Sequence, residues 1–386
     1  MISGEYKMNE YAQKIRRELH RNPEIGFDLP KTLATLRREL DEVGVEYTEK
    51  FGKSGIVATI NPEKSHFTIG IRADMDALPI LEKNDVPYKS QCDGKMHACG
   101  HDAHTAIALA TLKELNEMRD EISCRVKFIF QPAEEYAPSG AKLMAEDGVM
   151  KDIDVIVALH VEPSIDAGKV GVISGYRNAT SDGFTLTFRG KSAHVAEQQH
   201  GTDAIMMAVR AYTDLEFVIA KEISAREPII FNVGSIHGGV ANNVICDECS
   251  MFCTLRTHTD ETAEYVLNKV KKICEAIAET AGGSFEYEHK KHYPVVYNDP
   301  TVTELIRAAA AAVVGEENVI ESRRGMGGED FSYFANEKPG TMFHLGIRSE
   351  ERGIVHKLHT DLFDLEEEAL DVGVKIFKKF VLDNMK

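Results

Sequence analysis

The chain has 386 residues, 43% of them apolar and 28% charged, with a net charge of −17, and its length favours two domains with a cleft between them over one. No apolar run approaches the roughly 18 residues that a membrane-spanning helix needs, which excludes a membrane-embedded protein, and the opening MISGEYKMNEYAQKIRREL has no apolar leader core, so a cytoplasmic protein is expected. An acidic chain without a Lys/Arg stripe repels a phosphate backbone, which removes nucleic acid from the expected partners.

Taken in chain order, GIVATI, FTIGIRA, a helix over about 103–118, RVKFIF and IDVIVALHV alternate β-rich with helical patterns. That grammar predicts an α/β domain with a mainly parallel sheet. It then changes to strand GFTLTFRG, helix TDAIMMAVRAYTDLEFVIA, strands around FNVGSI and SMFCTLRT, helix ETAEYVLNKVKKICEAIAETAGG and strand FEYEH. The order β-α-β-β-α-β is ferredoxin-like, so residues 180–292 read as an inserted α+β lid domain. Signals of the first kind resume with VTELIRAAAAAVVG, GTMFHLGI and the amphipathic LEEEALDVGVKIFKKFVL, which makes the first domain discontinuous, 1–179 plus 293–386. Seven cysteines form an odd set, as in a reducing compartment. Cys246, Cys249 and Cys253 lie in NVICDECSMFCTLRT, which alternates as a strand, and residues three apart on a strand face opposite ways, so these thiols read as strand residues rather than a zinc knuckle.

The chemistry-bearing clusters fall at the carboxyl ends of predicted strands, the edge where open α/β sheets build sites. These are Asp74 and Asp76, Glu134 and Glu135, His160, and His344. In MHACGHDAHTAIALATLKEL, Cys99 and His101 sit on the entry loop of a helix for which Asp102 is a suitable N-cap. Gly100 between them lets a thiolate and an imidazole turn toward one cation. From the residues alone this loop is a metal site, a Cys/His nucleophile pair or a capping loop with a buried thiol. FIFQPAEE ends a strand with two adjacent carboxylates, costly to desolvate without a cation or proton. One could ligate while its neighbour serves as general base, or both could sit on a solvated loop. His160 and His359, taken singly, read as satisfied polar residues; with the two motifs before them they read as ligands.

The set RADMDALP, MHACGHDAHT, FIFQPAEE, ALHVEP, GKSAHVA, NNVICD, GGEDFSYF and HKLHTDLF, in this order, resembles the dinuclear metallopeptidase family of aminoacylases and carboxypeptidases, in the branch of hippurate hydrolase, N-acetyl-amino-acid deacetylases and plant indole-acetyl-amino-acid hydrolases. The opening LHRNPEIGFDLPKT is similar to that branch too, and the match runs from His20 to Phe363. The resemblance implies that Cys99, His101, Glu135, His160 and His359 hold two divalent cations per subunit, zinc or manganese, with Glu134 as base. It implies that Asp76 orients a metal-bound imidazole, with the role of Asp74 open. It also implies that His194 reaches the substrate carbonyl across a lid-to-lid homodimer, and that Asn243 and Arg256, read as lying on lid strands, grip the substrate carboxylate beside the turn at Gly328. Where this branch follows the lid histidine with proline and small residues, the present chain reads HVAEQQHGTDAI, so its acyl pocket is expected to differ. The expectation is a metal-dependent amidohydrolase that cleaves N-acetyl or N-aroyl L-amino acids. Its rivals are a dipeptidase or carboxypeptidase of the same family, a thiol amidase with Cys99 as nucleophile and His101 as base, and a non-catalytic binder of amino-acid conjugates.

Overall fold

The structure is a computed structural model and describes residues 2–64 and 66–385. Its elements up to the middle of the chain are α1 (Ile2–Arg21), α2 (Pro30–Val43), β1 (Glu46–Phe51), β2 (Gly55–Ile60), β3 (Thr68–Asp74), α3 (His101–Glu117), β4 (Arg125–Gln131), α4 (Gly140–Glu146), β5 (Val155–Asp166), β6 (Val170–Val172) and β7 (Gly175–Asn178). There follow β8 (Ser181–Arg189), α5 (Ala204–Glu222), β9 (Ile229–Gly238), β10 (Glu248–Thr257), α6 (Asp260–Ala281) and β11 (Ser284–Tyr293). The chain ends with β12 (Val296–Asn298), α7 (Pro300–Val314), β13 (Val319–Glu321), α8 (Ser332–Ala335), β14 (Gly340–Arg348) and α9 (Ala369–Asn384). Two compact units result, one running to Gly175 and resuming over Tyr297–Arg323 and from Asp330 on, the other comprising Tyr176–Val296 with Arg324–Glu329.

The larger unit is built on an eight-stranded sheet in the order β1-β2-β4-β3-β5-β14-β6-β13. Its centre is parallel, β3 with β4 and with β5, and β5 with β14, while β1/β2, β2/β4 and β14/β6 run antiparallel. All seven residues of β3 are buried, as expected of a strand covered on both faces. From β3 the chain passes through α3 to β4 on one side, and then through α4 to β5 on the other. The topological switch therefore lies at β3, where doubly wound sheets place their sites. Helix α3 packs against α1 and α9 and buries Ala103, Ala106, Ile107, Ala110, Leu112 and Leu115 almost completely. A helix that is apolar nearly all round is one sandwiched between sheet and helices.

The smaller unit has the order β8-α5-β9-β10-α6-β11 and a sheet arranged β11-β8-β10-β9, antiparallel throughout. Asp203 caps α5 by accepting the N–H of Ile205 and Met206, Thr259 caps α6 by accepting that of Thr262, and Gly282 ends α6 at φ 74°. Its core joins Leu186, Phe188, Met251 and Leu255 of the sheet to Met207, Leu215, Val266 and Val270 of the helices. Cys246 precedes β10 and its thiol donates to the Glu248 carbonyl. Cys249 and Cys253 are four apart on β10, share its buried face and belong to this core. Cys246 lies outside the strand and is buried in the same cluster as the other two, so the opposite-face argument separates none of these thiols; burial, which pushes the Cys253 thiol up to about 12, makes them apolar packing residues.

Candidate active site

Gly100 takes φ +82° and a Cβ there would lie 2.3 Å from Cγ2 of Val161, so only glycine lets the chain turn between Cys99 and the helix. His101 is the first residue of α3 rather than part of its entry loop, and Asp102 stands in the first turn rather than at the cap. The Asp102 carboxylate serves a buried network instead, 2.9 Å from Nε of Arg16 and 2.8 Å from Nδ1 of His20. His160 and His344 lie within β5 and β14, which run on past the sheet edge, and the two are register partners. The β3/β5 ladder stops at Arg72↔Ala158, so His160 still projects beyond the end of β3.

Around that edge the donor atoms converge. Those of Cys99, His101 and His160 lie within 4.8 Å of one another, as do those of Cys99, Glu135 and His359, and those of His101, Glu134 and Glu135. Sγ of Cys99 is 3.5 Å from Nε2 of His160, whose Nδ1 donates to the Val161 carbonyl at 2.7 Å. This leaves the Nε2 lone pair facing the thiol. His359 reaches in from the loop after β14, its Nε2 3.1 Å from Oε1 of Glu135. Its backbone holds φ +61° and its N–H donates to the Ala98 carbonyl at 2.8 Å. Ala133, just before the two glutamates, also has a positive φ of 52°. Non-glycine residues in that region store strain and cluster at functional sites.

Asp76 organises the glutamate pair. Its Oδ1 accepts the N–H of Glu134 at 2.9 Å and its Oδ2 that of Glu135 at 3.1 Å, and Oδ1 also stands 3.5 Å from Nδ1 of His101. Asp74 is fully buried and binds Nη1 of Arg72 at 2.7 Å and Nδ1 of His104 at 2.6 Å. His104 accepts the Val161 N–H on Nε2 at 3.0 Å. Both nitrogens of His104 are therefore used, and it staples α3, β3 and β5 rather than offering a ligand atom. Arg72 extends the frame to Gln131 and Asp330, and Asp330 also accepts the N–H of Ala141.

A cation fits this arrangement on three observations. Both ring nitrogens of buried His101 lack a hydrogen-bond partner, a costly state for atoms shut off from water. Burial opposes a charge on His101, yet Asp74, Asp76 and Glu135 outweigh it and lift the ring to about 10, so the cluster is short of positive charge. Burial, with Glu135 and Glu134 beside it, pushes the Cys99 thiol well up, so a thiolate forms there only against a cation. The donor set of one sulfur, imidazoles and carboxylate suits zinc and, through its nitrogen and oxygen members, manganese.

In the smaller unit, His194 and Val244 form an antiparallel bridge, Val195 donating to the Asn243 carbonyl at 3.1 Å and Ile245 to that of Ala193 at 2.8 Å. Asn243 is in the turn before this bridge, not on a strand. His194 is exposed, and its Nδ1 accepts the Ala196 N–H at 3.1 Å. Nε2 then carries the proton and is free to donate. Arg256 is on β10, and a Cβ at Gly328 would meet Tyr293 at 2.6 Å and Nη1 of Arg256 at 3.4 Å, so glycine there keeps the guanidinium accessible. The sequence reading missed the stapling role of His104, the frame of Arg72 and Asp330, and the Arg16–Asp102–His20 network. The spacing of His101, His104 and Thr105, one face of a helix, is the signal for the first, since Thr105 also bonds the Asp74 carbonyl at 2.8 Å.

A family model described as peptidase family M20/M25/M40 matches residues 70–383. The N-acetylcysteine deacetylase of Bacillus subtilis is 34% identical over 376 residues, 96% of this chain and 97% of that protein. Thermostable carboxypeptidase 2 of Saccharolobus solfataricus is 32% identical over 95% of this chain and 93% of its own. A crystal structure from Bacillus subtilis, described as a dinuclear metal binding peptidase from the M20 family, superposes with a TM-score of 0.87 at 31% identity, covering 98% of this chain and 99% of that one.

Proposed function

Because the chain belongs to peptidase family M20/M25/M40, enzymes that hydrolyse amide bonds, we propose that it is a metal-dependent amidohydrolase releasing an L-amino acid from its N-acetyl or N-aroyl conjugate. The observation that carries the reading is the Glu134–Glu135 pair held on the Asp76 carboxylate beside Cys99, His101 and His160. Cys99, His101, Glu135, His160 and His359 would hold two divalent cations, zinc or manganese. When bound, these polarise the amide carbonyl and make water acidic enough to lose a proton near neutral pH.

In this reading Glu134 receives the proton of the attacking water and returns it to the leaving nitrogen, the two halves of general acid–base catalysis. Asp76 fixes the chain that carries Glu134 and steadies His101. The Nε2–H of His194 donates to the carbonyl oxygen as charge builds there. Arg256 offers its guanidinium fork to the substrate carboxylate, with Asn243 as its companion and Gly328 giving the ligand close approach. We place His194 on the partner subunit's active site, in a homodimer joined through the lids. In support, β9 is an edge strand of the lid sheet, with Met206, Val209 and Phe217 of α5 exposed, and Ile230 and Ile236 of β9 likewise. An apolar edge of that kind is normally paired or covered.

The test is turnover of acetyl-, benzoyl- and indoleacetyl-amino acids against dipeptides, with several divalent metals added back to chelated protein. Hydrolysis of the acylated amino acids that disappears on chelation is expected; faster cleavage of dipeptides would move the assignment to the dipeptidase. The thiol amidase is the second reading, favoured by the approach of Cys99 to His160, although the nearest imidazole is then His160 and not His101. A metal-held thiolate resists alkylation, so iodoacetamide should label Cys99 in the chelated protein and spare it in the metal-loaded one. Activity that survives chelation, with equal labelling in both forms, would select the thiol amidase.

A further inference from the structure

Beside the metal-type cluster the larger unit has a cavity of about 400 Å³ lined by Glu162, Ser164, Arg348, Val355, Lys357 and Leu358. Two of its walls are continuous with the cluster. Glu162 lies two residues after His160 on β5 and so projects from the same face, and Leu358 immediately precedes His359. His344, the register partner of His160, faces the same edge. The space is thus set where the part of a substrate next to the scissile carbonyl would extend, and the argument rests on the amidohydrolase reading above.

The charges of this cavity are of both signs and incompletely used. Oε1 of Glu162 accepts the N–H of Ser164 at 2.9 Å, and Oε2 stands 4.0 Å from Nε2 of His344, whose Nδ1 is engaged by the Ser322 hydroxyl at 2.9 Å. The carboxylate is thereby oriented, yet among the described residues no lysine or arginine pairs with it, and acceptor capacity remains. Lys357 likewise has no ion pair among the described residues. Arg348 gives one arm to Glu350 while its buried Nε has no partner. Val355 and Leu358 supply apolar wall between these heads.

We propose that this cavity receives the acyl group of the substrate and selects one carrying both an ammonium, taken by Glu162, and a carboxylate, taken by Lys357 and Arg348. An acyl group formed from the side-chain carboxyl of an acidic amino acid has this chemistry. Acetyl and aroyl groups, which engage none of the charged heads in the cavity, are the poorer substrates of the same site.

The test is a series of four acyl groups on one amino acid with metal-loaded enzyme: γ-glutamyl, glutaryl without the ammonium, 4-aminobutyryl without the carboxylate, and butyryl without either. The expected kcat/KM for γ-glutamyl exceeds that of each singly charged analogue by on the order of tenfold, the usual worth of a charge-assisted hydrogen bond. Glu162→Gln should bring the γ-glutamyl to glutaryl ratio close to one, and Lys357→Met should lower the γ-glutamyl to 4-aminobutyryl ratio severalfold. Equal rates for γ-glutamyl and butyryl, or ratios unchanged in both variants, overturn the proposal. Calorimetric titration of the free acids reads the cavity without turnover, L-glutamate binding more tightly than glutarate and losing that advantage in Glu162→Gln. Such binding in a protein that cleaves no acylated amino acid would refute the amidohydrolase and uphold the cavity. Turnover of acetyl conjugates with no preference for L-glutamate over glutarate would do the reverse.

Discussion

The carboxylate of Asp76 accepts the backbone N–H of Glu134 at 2.9 Å across 58 residues of sequence. A side chain two residues past the end of β3 therefore fixes the loop after β4, and with it the two adjacent glutamates to which different tasks fall.

Their separation gives the first prediction. Glu134→Gln should keep the full metal content and lose turnover by about 10²- to 10⁴-fold, the usual worth of a general base. Glu135→Gln should lose metal affinity first, activity returning in part at high metal concentration. Metal content by elemental analysis beside kcat distinguishes them, and normal turnover in Glu134→Gln would remove the base from this position.

His104 uses both ring nitrogens, one on Asp74 and one on the Val161 N–H. His104→Leu should cost about 3 kcal/mol, since it leaves a buried carboxylate oxygen and a buried N–H unpaired. His104→Gln should cost less, because an amide both donates and accepts. Denaturant titration measures the loss. Stoichiometric metal in the refolded glutamine variant is the expected companion result, and metal loss at unchanged stability would make His104 a ligand instead.

Burial and Arg16 oppose a proton on His20, but Asp102 and Glu82 outweigh them and its pKa is raised. The folded state then binds the proton more tightly than the unfolded one. The ring accordingly contributes stability that is fully present below about pH 6.5, the ordinary histidine value, and lost as pH rises through the raised folded value. His20→Gln should be destabilised against the parent by about 1 to 3 kcal/mol near pH 5.5 and by less near pH 9. An equal difference at the two pH values would mean that the ring acts by packing alone.

The lid pairing predicts complementation. Inactive Glu134→Gln protein mixed in equal amount with inactive His194→Ala protein should recover about a quarter of parental activity after subunit exchange, as half the dimers are mixed and each has one complete site. A fully active monomer in sedimentation, or no recovery once exchange is verified, would place His194 outside the partner's chemistry.

Periodic features were readable from the sequence because they are local. The β-α-β-β-α-β order of the lid and the run from β2 through α3 to β5 follow from alternation and helical spacing. For Cys99, His101, Glu135, His160 and His359 the spacing allows a shared cation but leaves a nucleophile pair and solvated loops open, and only the motif resemblance implies the full set. What the sequence hides is settled by distant partners. Asp102 has the composition of an N-cap, but Arg16 and His20 claim its carboxylate, and a buried guanidinium outbids a backbone N–H. The positive φ of His359 and Ala133 has no residue-type signature, since neither is glycine. Strand β5 outruns its expected end because it pairs with β14 well past the limit of β3.

In the large sheet β14 lies between β5 and β6, though some 170 residues of chain separate it from them. A ribosome releasing this protein has delivered β5, with Cys99 and His160, long before residue 340 emerges. Throughout that interval the flank of β5 that will receive β14 is bare, a template for any stray strand. His359, on the loop after β14, is added last of all. The nascent chain thus holds most of its metal-type donors before the sheet that aligns them is closed, and the stretch from residue 340 to His359 both seals that edge and delivers the last of them.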